Sequence, residues 1–164
     1  MAHLKDLIDI FLQPGEYFVG DSTFKIRTML GSCVSMTLWH PTKRIGAMSH
    51  FLLPKRSYIE TEIKSLDARY GDEALVLMLS ELEQAGVPSS QCQGKIFGGG
   101  NMFPGHYSLG AMKIGQKNGD AARLLLQDNG IKIVSESLFG IGHRQIIFDV
   151  STGSVWSRQV KLPT

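Results

Sequence analysis

The chain has 164 residues, of which 43% are hydrophobic and 20% are charged, a composition that suits one globular domain with a buried core. Its 17 lysines and arginines and 15 aspartates and glutamates give a net charge of +2, without the basic excess of an electrostatic nucleic-acid binder. No apolar run has the length of a membrane span, and Asp6 and Asp9 interrupt the apolar pattern of residues 1–14, unlike a signal peptide. We therefore expect a single domain over residues 1–164, located in the cytoplasm, with no nucleic-acid partner and no membrane insertion.

Residues 3–13 are predicted to form a short amphipathic helix, an appendage that Pro14 and Gly15 would end. Apolar side chains recur at helical spacing along it: Leu4, Leu7, Ile8, Phe11 and Leu12. The next two apolar segments, EYFVG and TFKIRTML, are predicted strands that lead into Gly31.

Residues 34–39 and 45–53 are predicted strands, and the turn-forming segment PTKR between them predicts a hairpin. The polar segment 55–70 lacks clean periodicity and is predicted to be an exposed loop or a weakly formed helix.

Asp72 is the expected N-cap of a helix that ends at Gly86 and Pro88, and a second helix is predicted over residues 118–128. The segment KIFGGGNMF is predicted to form a short strand that runs into three glycines. The later strands are IKIVSES, RQIIFDV and SVWSRQV, the last two joined by STG in a second hairpin. Strands outnumber helices and do not alternate with them. This order favours an α+β fold, a mixed or antiparallel β-sheet sandwich with flanking helices, over a doubly wound sheet.

The first hairpin brings a cysteine and a histidine to one face of the sheet. If the turn pairs His40 with Ile45, Ser35 lies opposite His50, and Cys33 follows two residues along the same face. Diagonal neighbours of this kind lie roughly 5.5 to 8 Å apart at Cβ, within reach of a thiol and an imidazole. A one-residue slip of the register would separate them.

Cys33 and His50 are therefore candidates for nucleophilic chemistry. The imidazole can remove the thiol proton and hold its charge beside the thiolate, which predicts a thiol pKa below the free value of about 8.5. Gly31 and Ser32 suggest a tight turn whose backbone N–H groups face a developing oxyanion. In the alternative interpretation, Cys33 is a small buried side chain and His50 a structural histidine, and the residue pattern alone leaves both open.

The other candidate residues carry weaker signals. The segment GGGNMF lacks the ending of a P-loop, and its Gly98 and Gly99 are predicted either to line a cleft and offer their amides to a substrate or to form a structural turn. Cys92 has no histidine near it and is interpreted as structural. No metal-ligand spacing, and hence no metal site, is predicted for the remaining histidines, which are His3, His40, His106 and His143.

Four motifs, in this order, resemble the chemoreceptor glutamine deamidase family, CheD: LGSCVSMTLWHP, IGAMSHFLLP, KIFGGGNMF and IGQKN. The likeness runs over about residues 15–160, and the pairing of the GSC and GxMxH motifs is its most specific part. It implies a single deamidase domain that hydrolyses glutamine side chains to glutamate on the cytoplasmic helices of methyl-accepting chemotaxis receptors, releasing ammonia without a cofactor. It also implies a fold similar to bacterial toxin deamidases of the cytotoxic necrotizing factor type, and the CheC phosphatase as a partner in organisms that have one.

The resemblance implies that Cys33 is the nucleophile and His50 the base. The third catalytic position of the family is a threonine ahead of the GSC motif, which Thr28 matches, and its expected role is to orient the imidazole. A glutamyl methyl ester has the same acyl carbon, so methylesterase activity is chemically available to the same site. The candidates for binding the oxyanion or the substrate are Ser32, Gly98 and Gly99.

Two other functions stay open. A non-catalytic chemotaxis regulator would bind receptors or CheC, and its thiol would not alkylate rapidly. A small cysteine peptidase would need a groove for extended backbone, which no motif identifies.

Overall fold

The computed structural model describes residues 6–57, 65–102 and 108–161, the last range without the side chains of residues 108–112. These residues form nine β-strands and two α-helices. The strands are β1 (Ile8–Phe11), β2 (Tyr17–Gly20), β3 (Phe24–Leu30), β4 (Val34–His40), β5 (Ile45–Ser49), β6 (Gln93–Gly98), β7 (Lys132–Leu138), β8 (His143–Asp149) and β9 (Val155–Val160). The helices are α1 (Gly71–Gln84) and α2 (Ser108–Asp128), and a short 3₁₀ helix covers Ser89–Gln91.

The strands form two mixed sheets. The first sheet has the order β1-β3-β8-β9, and the second sheet has the order β2-β5-β4-β6-β7. The pairs β1–β3 and β6–β7 are parallel, and the other pairs are antiparallel. Helix α1 packs beside β2 and β5, while α2 packs beside β4, β6 and β7. The fold is therefore α+β, with both helices against the second sheet.

Two apolar clusters hold the sheets and the helices together. The cluster between the sheets consists of Leu12, Ile26, Leu30, Met48, Phe97, Ile146, Phe148 and Val150. The cluster between the second sheet and the helices includes Val34, Met36, Leu38, Phe51, Leu75, Met78, Leu82, Ile96 and Leu126. Because the second sheet is covered on both faces, its central strand β4 is buried along almost its whole length.

The first hairpin has the predicted register. His40 pairs with Ile45, and an isolated bridge between Val34 and Phe51 continues the same alignment beyond the shorter β5. The second predicted hairpin joins β8 to β9 through a turn that contains Gly153 at φ +78°.

The prediction of an N-terminal helix over residues 3–13 is wrong, although its first residues lie outside the described chain. The segment forms β1, which pairs parallel with β3. The Ile8 N–H donates to the Thr23 carbonyl at 2.7 Å, and the Leu12 N–H donates to the Arg27 carbonyl at 2.9 Å. The edge of β3 supplies these partners, and pairing with it outweighs the helical spacing of a short segment.

Helix α1 occurs close to where it is predicted. Its N-cap is Tyr70, which makes no side-chain capping bond, so the expected cap Asp72 lies inside the first turn. Gly86 follows the helix at φ +76°, as its predicted role at the helix end requires. Within the predicted loop before the helix, residues 58–64 lie outside the described chain.

Helix α2 is longer than predicted. It begins at Ser108, whereas the sequence predicts a start at residue 118. Gly115 and Gly119 weaken the local helix signal because glycine is a poor helix former. Neither α-helix of the described chain combines the length and apolar character needed to cross a membrane.

Candidate active site

Cys33 lies in the connection that carries the chain from the first sheet to the second. It follows β3 and precedes β4, and its side chain is partly exposed beside the apolar cluster between the sheets. The nucleophile candidate therefore sits where the two sheets meet.

His50 is buried at the end of β5 and is held by its backbone on both sides. Its carbonyl accepts a hydrogen bond from the Gly15 N–H at 2.8 Å, and its N–H donates to the Glu16 carbonyl at 3.1 Å. Only 2% of the residue is exposed. The backbone of His50 is thus fixed by the segment between β1 and β2.

Thr28 contacts the imidazole directly. Its Oγ1 lies 2.7 Å from His50 Nδ1 and 2.8 Å from the Leu12 carbonyl oxygen, and all three residues are buried. The carbonyl can only accept, so the single hydroxyl proton of Thr28 is donated to Leu12. The hydroxyl then accepts the Nδ1–H of His50, which leaves Nε2 as the basic nitrogen.

The confirmed register places Cys33 and His50 on the same face of the hairpin. Among the described residues, the Cys33 thiol and His50 Nε2 have no hydrogen-bond partner. Catalytic hydrogen bonds are often long or absent in proteins without a bound substrate, so the lack of this bond does not exclude the pair.

Burial determines the charge states of these two groups. It lowers the pKa of His50 from 6.5 to about 4 and raises the pKa of the Cys33 thiol. The sequence-based expectation of a thiol pKa below the free value is therefore wrong for the resting site, because removal from water disfavours the thiolate. At neutral pH the site holds a neutral thiol and a neutral imidazole, whose Nε2 carries no proton.

The backbone around Cys33 is fixed by hydrogen bonds to three consecutive carbonyl groups. The Gly31 carbonyl accepts from the Gly100 N–H at 2.8 Å, and the Cys33 carbonyl accepts from the Gly99 N–H at 2.9 Å. Between them, the Ser32 carbonyl accepts from Asn118 Nδ2 at 2.9 Å. All three carbonyls of this loop are therefore occupied by groups from other parts of the chain.

These bonds bear on the two interpretations of the glycine loop. The amide of Gly99 donates to Cys33, so it is not available to hold a substrate. The φ values of Gly98 and Gly99 are +116° and +67°, a region that other residues rarely adopt. The geometry favours the structural turn, which donates hydrogen bonds to the backbone carbonyls of the Cys33 loop.

Arg144 is a component of the site's surroundings that the sequence does not reveal. Its buried guanidinium donates from Nη1 to the Gly98 carbonyl at 2.8 Å and from Nη2 to the Phe139 carbonyl. It therefore fixes the glycine turn from the first sheet. An arginine within a predicted strand gives no signal of this contact, because it depends on the packing of the two sheets.

The other candidates lie apart from this arrangement. Cys92 is buried in the cluster facing the helices, where burial raises its pKa to about 11, in keeping with a structural role. His40 bonds to Gln91 through Nε2 and accepts the Lys43 N–H at Nδ1. His3 and His106 lie outside the described residues.

The sequence predicts no metal site. Among the described residues, no group of three or more histidine, cysteine, aspartate or glutamate side chains is placed to hold a metal ion.

Comparison with known proteins gives consistent matches to one family. A family profile described as CheD chemotactic sensory transduction matches residues 52–159. A protein of Albidiferax ferrireducens named probable chemoreceptor glutamine deamidase CheD 2 is 68% identical over 98% of this chain and 92% of its own length. A relative from Dechloromonas aromatica, named probable chemoreceptor glutamine deamidase CheD 3, is 44% identical over 92% of this chain and 87% of its own.

A further relative, from Chromobacterium violaceum and named probable chemoreceptor glutamine deamidase CheD 1, is 41% identical over 92% of this chain and 77% of its own length. The family profile begins after Cys33 and His50, whereas the 98% alignment includes both. The chain belongs to the CheD family.

Proposed function

We propose that this protein hydrolyses specific glutamine side chains to glutamate on the cytoplasmic helices of methyl-accepting chemotaxis receptors, and that it does so in the cytoplasm. The relatives' names supply the substrate class. The observation that carries the chemistry is the 2.7 Å contact between Thr28 Oγ1 and His50 Nδ1, which leaves Nε2 basic on the face shared with Cys33.

In the proposed mechanism, His50 Nε2 takes the thiol proton as Cys33 attacks the carbonyl carbon of the glutamine amide. A carbon–sulfur bond forms, and the negative charge moves to the amide oxygen. The carbon–nitrogen bond then breaks, and His50 returns the proton to the departing ammonia. A water molecule, deprotonated by the same imidazole, hydrolyses the thioester and regenerates the thiol, leaving glutamate.

Both groups of the resting site are neutral before these proton transfers begin. A permanently charged imidazolium could not accept the thiol proton, whereas the lowered pKa of His50 keeps the ring neutral down to about pH 4. The raised thiol pKa means that the proton moves as the substrate is attacked rather than before it binds.

The test is incubation with a purified receptor cytoplasmic fragment, followed by mass spectrometry and measurement of ammonia. Each modified glutamine adds about one dalton because NH₂ is replaced by OH. We expect Cys33→Ala to abolish both signals while the protein stays folded, and Cys92→Ala to retain most of the activity. Full activity in Cys33→Ala, or loss only in Cys92→Ala, would contradict the assignment of the nucleophile.

The alternative function is a regulator that binds receptors or CheC without turnover. Iodoacetamide separates the two, since a catalytic Cys33 should alkylate faster than in the His50→Ala variant, whereas a passive thiol should be indifferent to that change. Three expectations remain predictions: binding to CheC, activity on glutamyl methyl esters, and likeness to toxin deamidases of the cytotoxic necrotizing factor type. They are tested by co-purification with CheC, methanol release and superposition of structures.

A further inference from the structure

Asn118 joins the loop of Cys33 to the segment after His50. Its side chain is fully buried in α2, and its Nδ2 donates to the Ser32 carbonyl at 2.9 Å and to the Leu52 carbonyl at 2.8 Å. Ser32 directly precedes Cys33, and Leu52 lies two residues after His50. One amide group therefore bridges the two chain segments that carry the candidate catalytic pair.

The orientation of this amide is determined by its partners. Two carbonyl oxygens can only accept, so the NH₂ group must face them and Oδ1 must point away. Asn118 Oδ1 is buried and has no hydrogen-bond partner in the described part of the chain. A buried acceptor without a partner is energetically unfavourable. The side chain nevertheless keeps this orientation, in which its NH₂ group makes both hydrogen bonds.

Helix α2 approaches the loop closely at the position that makes this contact feasible. A Cβ atom at Gly115 would lie 2.5 Å from the Gly99 carbonyl oxygen, so only glycine allows the helix backbone to pack there. Gly115 and Asn118 are three residues apart on the helix and share one face. The motif IGQKN thus combines a close-packing residue with a donor that reaches the loop.

The bond to Ser32 also fixes the direction of the next N–H group. No described peptide bond is cis, so the C=O and N–H of the Ser32–Cys33 peptide point in opposite directions. Since the carbonyl is directed at Asn118, the Cys33 N–H is directed away from α2. Among the described residues this N–H donates to no acceptor, unlike the Val34 N–H, which donates to the Phe51 carbonyl at 3.1 Å.

We propose that Asn118 is a positioning residue, which holds the Ser32–Cys33 peptide so that the Cys33 N–H is aimed at the oxyanion formed when the thiol attacks an acyl group. The role deepens the proposed deamidase function and rests on it for the natural substrate. A preorganised donor lowers the barrier because it faces the charge that develops in the transition state.

The test separates acyl transfer at Cys33 from simple alkylation of the same thiol. Acylation by p-nitrophenyl acetate passes through an oxyanion and releases p-nitrophenolate, whereas alkylation by iodoacetamide displaces iodide without one. Both rates are measured in a Cys92→Ala background, with the Cys33→Ala rate subtracted. Asn118→Leu removes both donors at similar volume, and Asn118→Ser is a smaller variant that no longer reaches the carbonyls.

The matched control is Asn129→Ala, which removes another asparagine bond, from Nδ2 to the Leu125 carbonyl at 2.7 Å, just beyond the end of α2. We expect the Asn118 variants to lose about 10-fold to 100-fold in acylation rate and to alkylate within about threefold of the parent. With the receptor fragment, kcat should fall and KM should stay nearly constant. The control should retain both rates.

An unchanged acylation rate in a folded Asn118 variant overturns the proposal. So does a parallel loss of acylation and alkylation, which would mean that the thiol itself is displaced, and so does loss of the melting transition in both variants, which would make Asn118 purely structural. If the parent is acylated by the ester yet leaves receptor glutamines unchanged, the proposed function fails while the role of Asn118 is still decided by the two rates.

Discussion

Thr28 connects the imidazole of His50 to the backbone of Leu12, which directly follows β1, an edge strand of the first sheet. Its hydroxyl donates to the Leu12 carbonyl and accepts from His50 Nδ1. Without the hydroxyl, the buried Nδ1–H would lose its acceptor, and the ring would be free to adopt the other tautomer or to rotate.

We predict that Thr28→Val lowers the kcat of deamidation by about 10-fold to 100-fold, because valine keeps the shape but neither donates nor accepts. Thr28→Ser keeps the hydroxyl and should restore most of the activity. The measurement is ammonia release at saturating receptor fragment. Thr37→Val is the control, since Thr37 is also buried, in β4 of the second sheet, but has no bond to His50. Equal losses in the Thr28 and Thr37 variants would argue against an orienting role.

His50 also makes stability depend on pH. Its pKa falls from 6.5 to about 4 on folding, so the unfolded chain binds its proton more tightly than the folded protein does. The contribution of His50 to the free energy of unfolding is fully present above pH 6.5 and is lost progressively as the pH falls towards 4. Over that window, a pKa difference of this size changes the free energy of unfolding by about 3 kcal/mol.

We predict that His50→Gln flattens the decrease in the free energy of unfolding between pH 6.5 and 4.5, as measured by denaturant titration at several pH values. Carboxyl groups with lowered pKa, such as Glu73 beside Arg56, contribute to the acid loss of both proteins and cancel in the difference. Parallel pH profiles for the two proteins would show that His50 is not buried as a neutral ring.

At the level of elements, α2 and the glycine turn position the loop of Cys33 together. Gly115 of the helix packs closely against the turn, and the Gly99 N–H of the turn donates to the Cys33 carbonyl. A side chain at Gly99 would therefore disturb both the helix and the loop.

We predict that Gly99→Ala lowers the free energy of unfolding by about 1 to 3 kcal/mol more than Gly130→Ala does. The two glycines have nearly the same φ, +67° and +68°, so the backbone strain of alanine is matched. They differ in space, because a Cβ at Gly99 would lie 2.7 Å from the Gly115 carbonyl oxygen, while one at Gly130 meets nothing within 4 Å. Equal losses in thermal and denaturant unfolding would mean that the helix does not approach the turn so closely.

For the whole molecule, the site exists only where the two sheets pack together. Thr28 comes from the first sheet, His50 follows the last residue of a strand in the second, and Cys33 lies in the connection between them. Small shifts between the sheets should therefore change the distances among these three side chains directly, whereas the helices act on them through the loop of Cys33.

We predict that Ile26→Val and Ile96→Val each lower the free energy of unfolding by about 1 kcal/mol, since both side chains are fully buried. Ile26 belongs to the cluster between the sheets and Ile96 to the cluster facing the helices. We expect Ile26→Val to lower kcat several-fold and Ile96→Val to leave it within about twofold, because misplacing reacting groups slows chemistry steeply. A larger kcat loss in Ile96→Val would contradict an inter-sheet site.

Much of the fold could be predicted because its signals are local. Alternating side chains and turn residues predict most of the strands, and the PTKR turn predicts the pairing of His40 with Ile45 that the structure shows. That register brings Cys33 and His50 to one face. The four motifs also identify the family, because each of them is a short run of consecutive residues.

The tertiary structure decided what depends on partners distant in the chain. Residues 8–11 form a strand because the edge of β3 is beside them, and helical spacing within the segment carries no information about that neighbour. The thiol pKa rises because Cys33 is partly buried, and spacing along the chain does not show how much of a side chain is removed from water. Asn118 and Arg144 donate hydrogen bonds to backbone carbonyl groups of the loops. Because every residue has a carbonyl, only the folded chain shows which carbonyls these side chains bind.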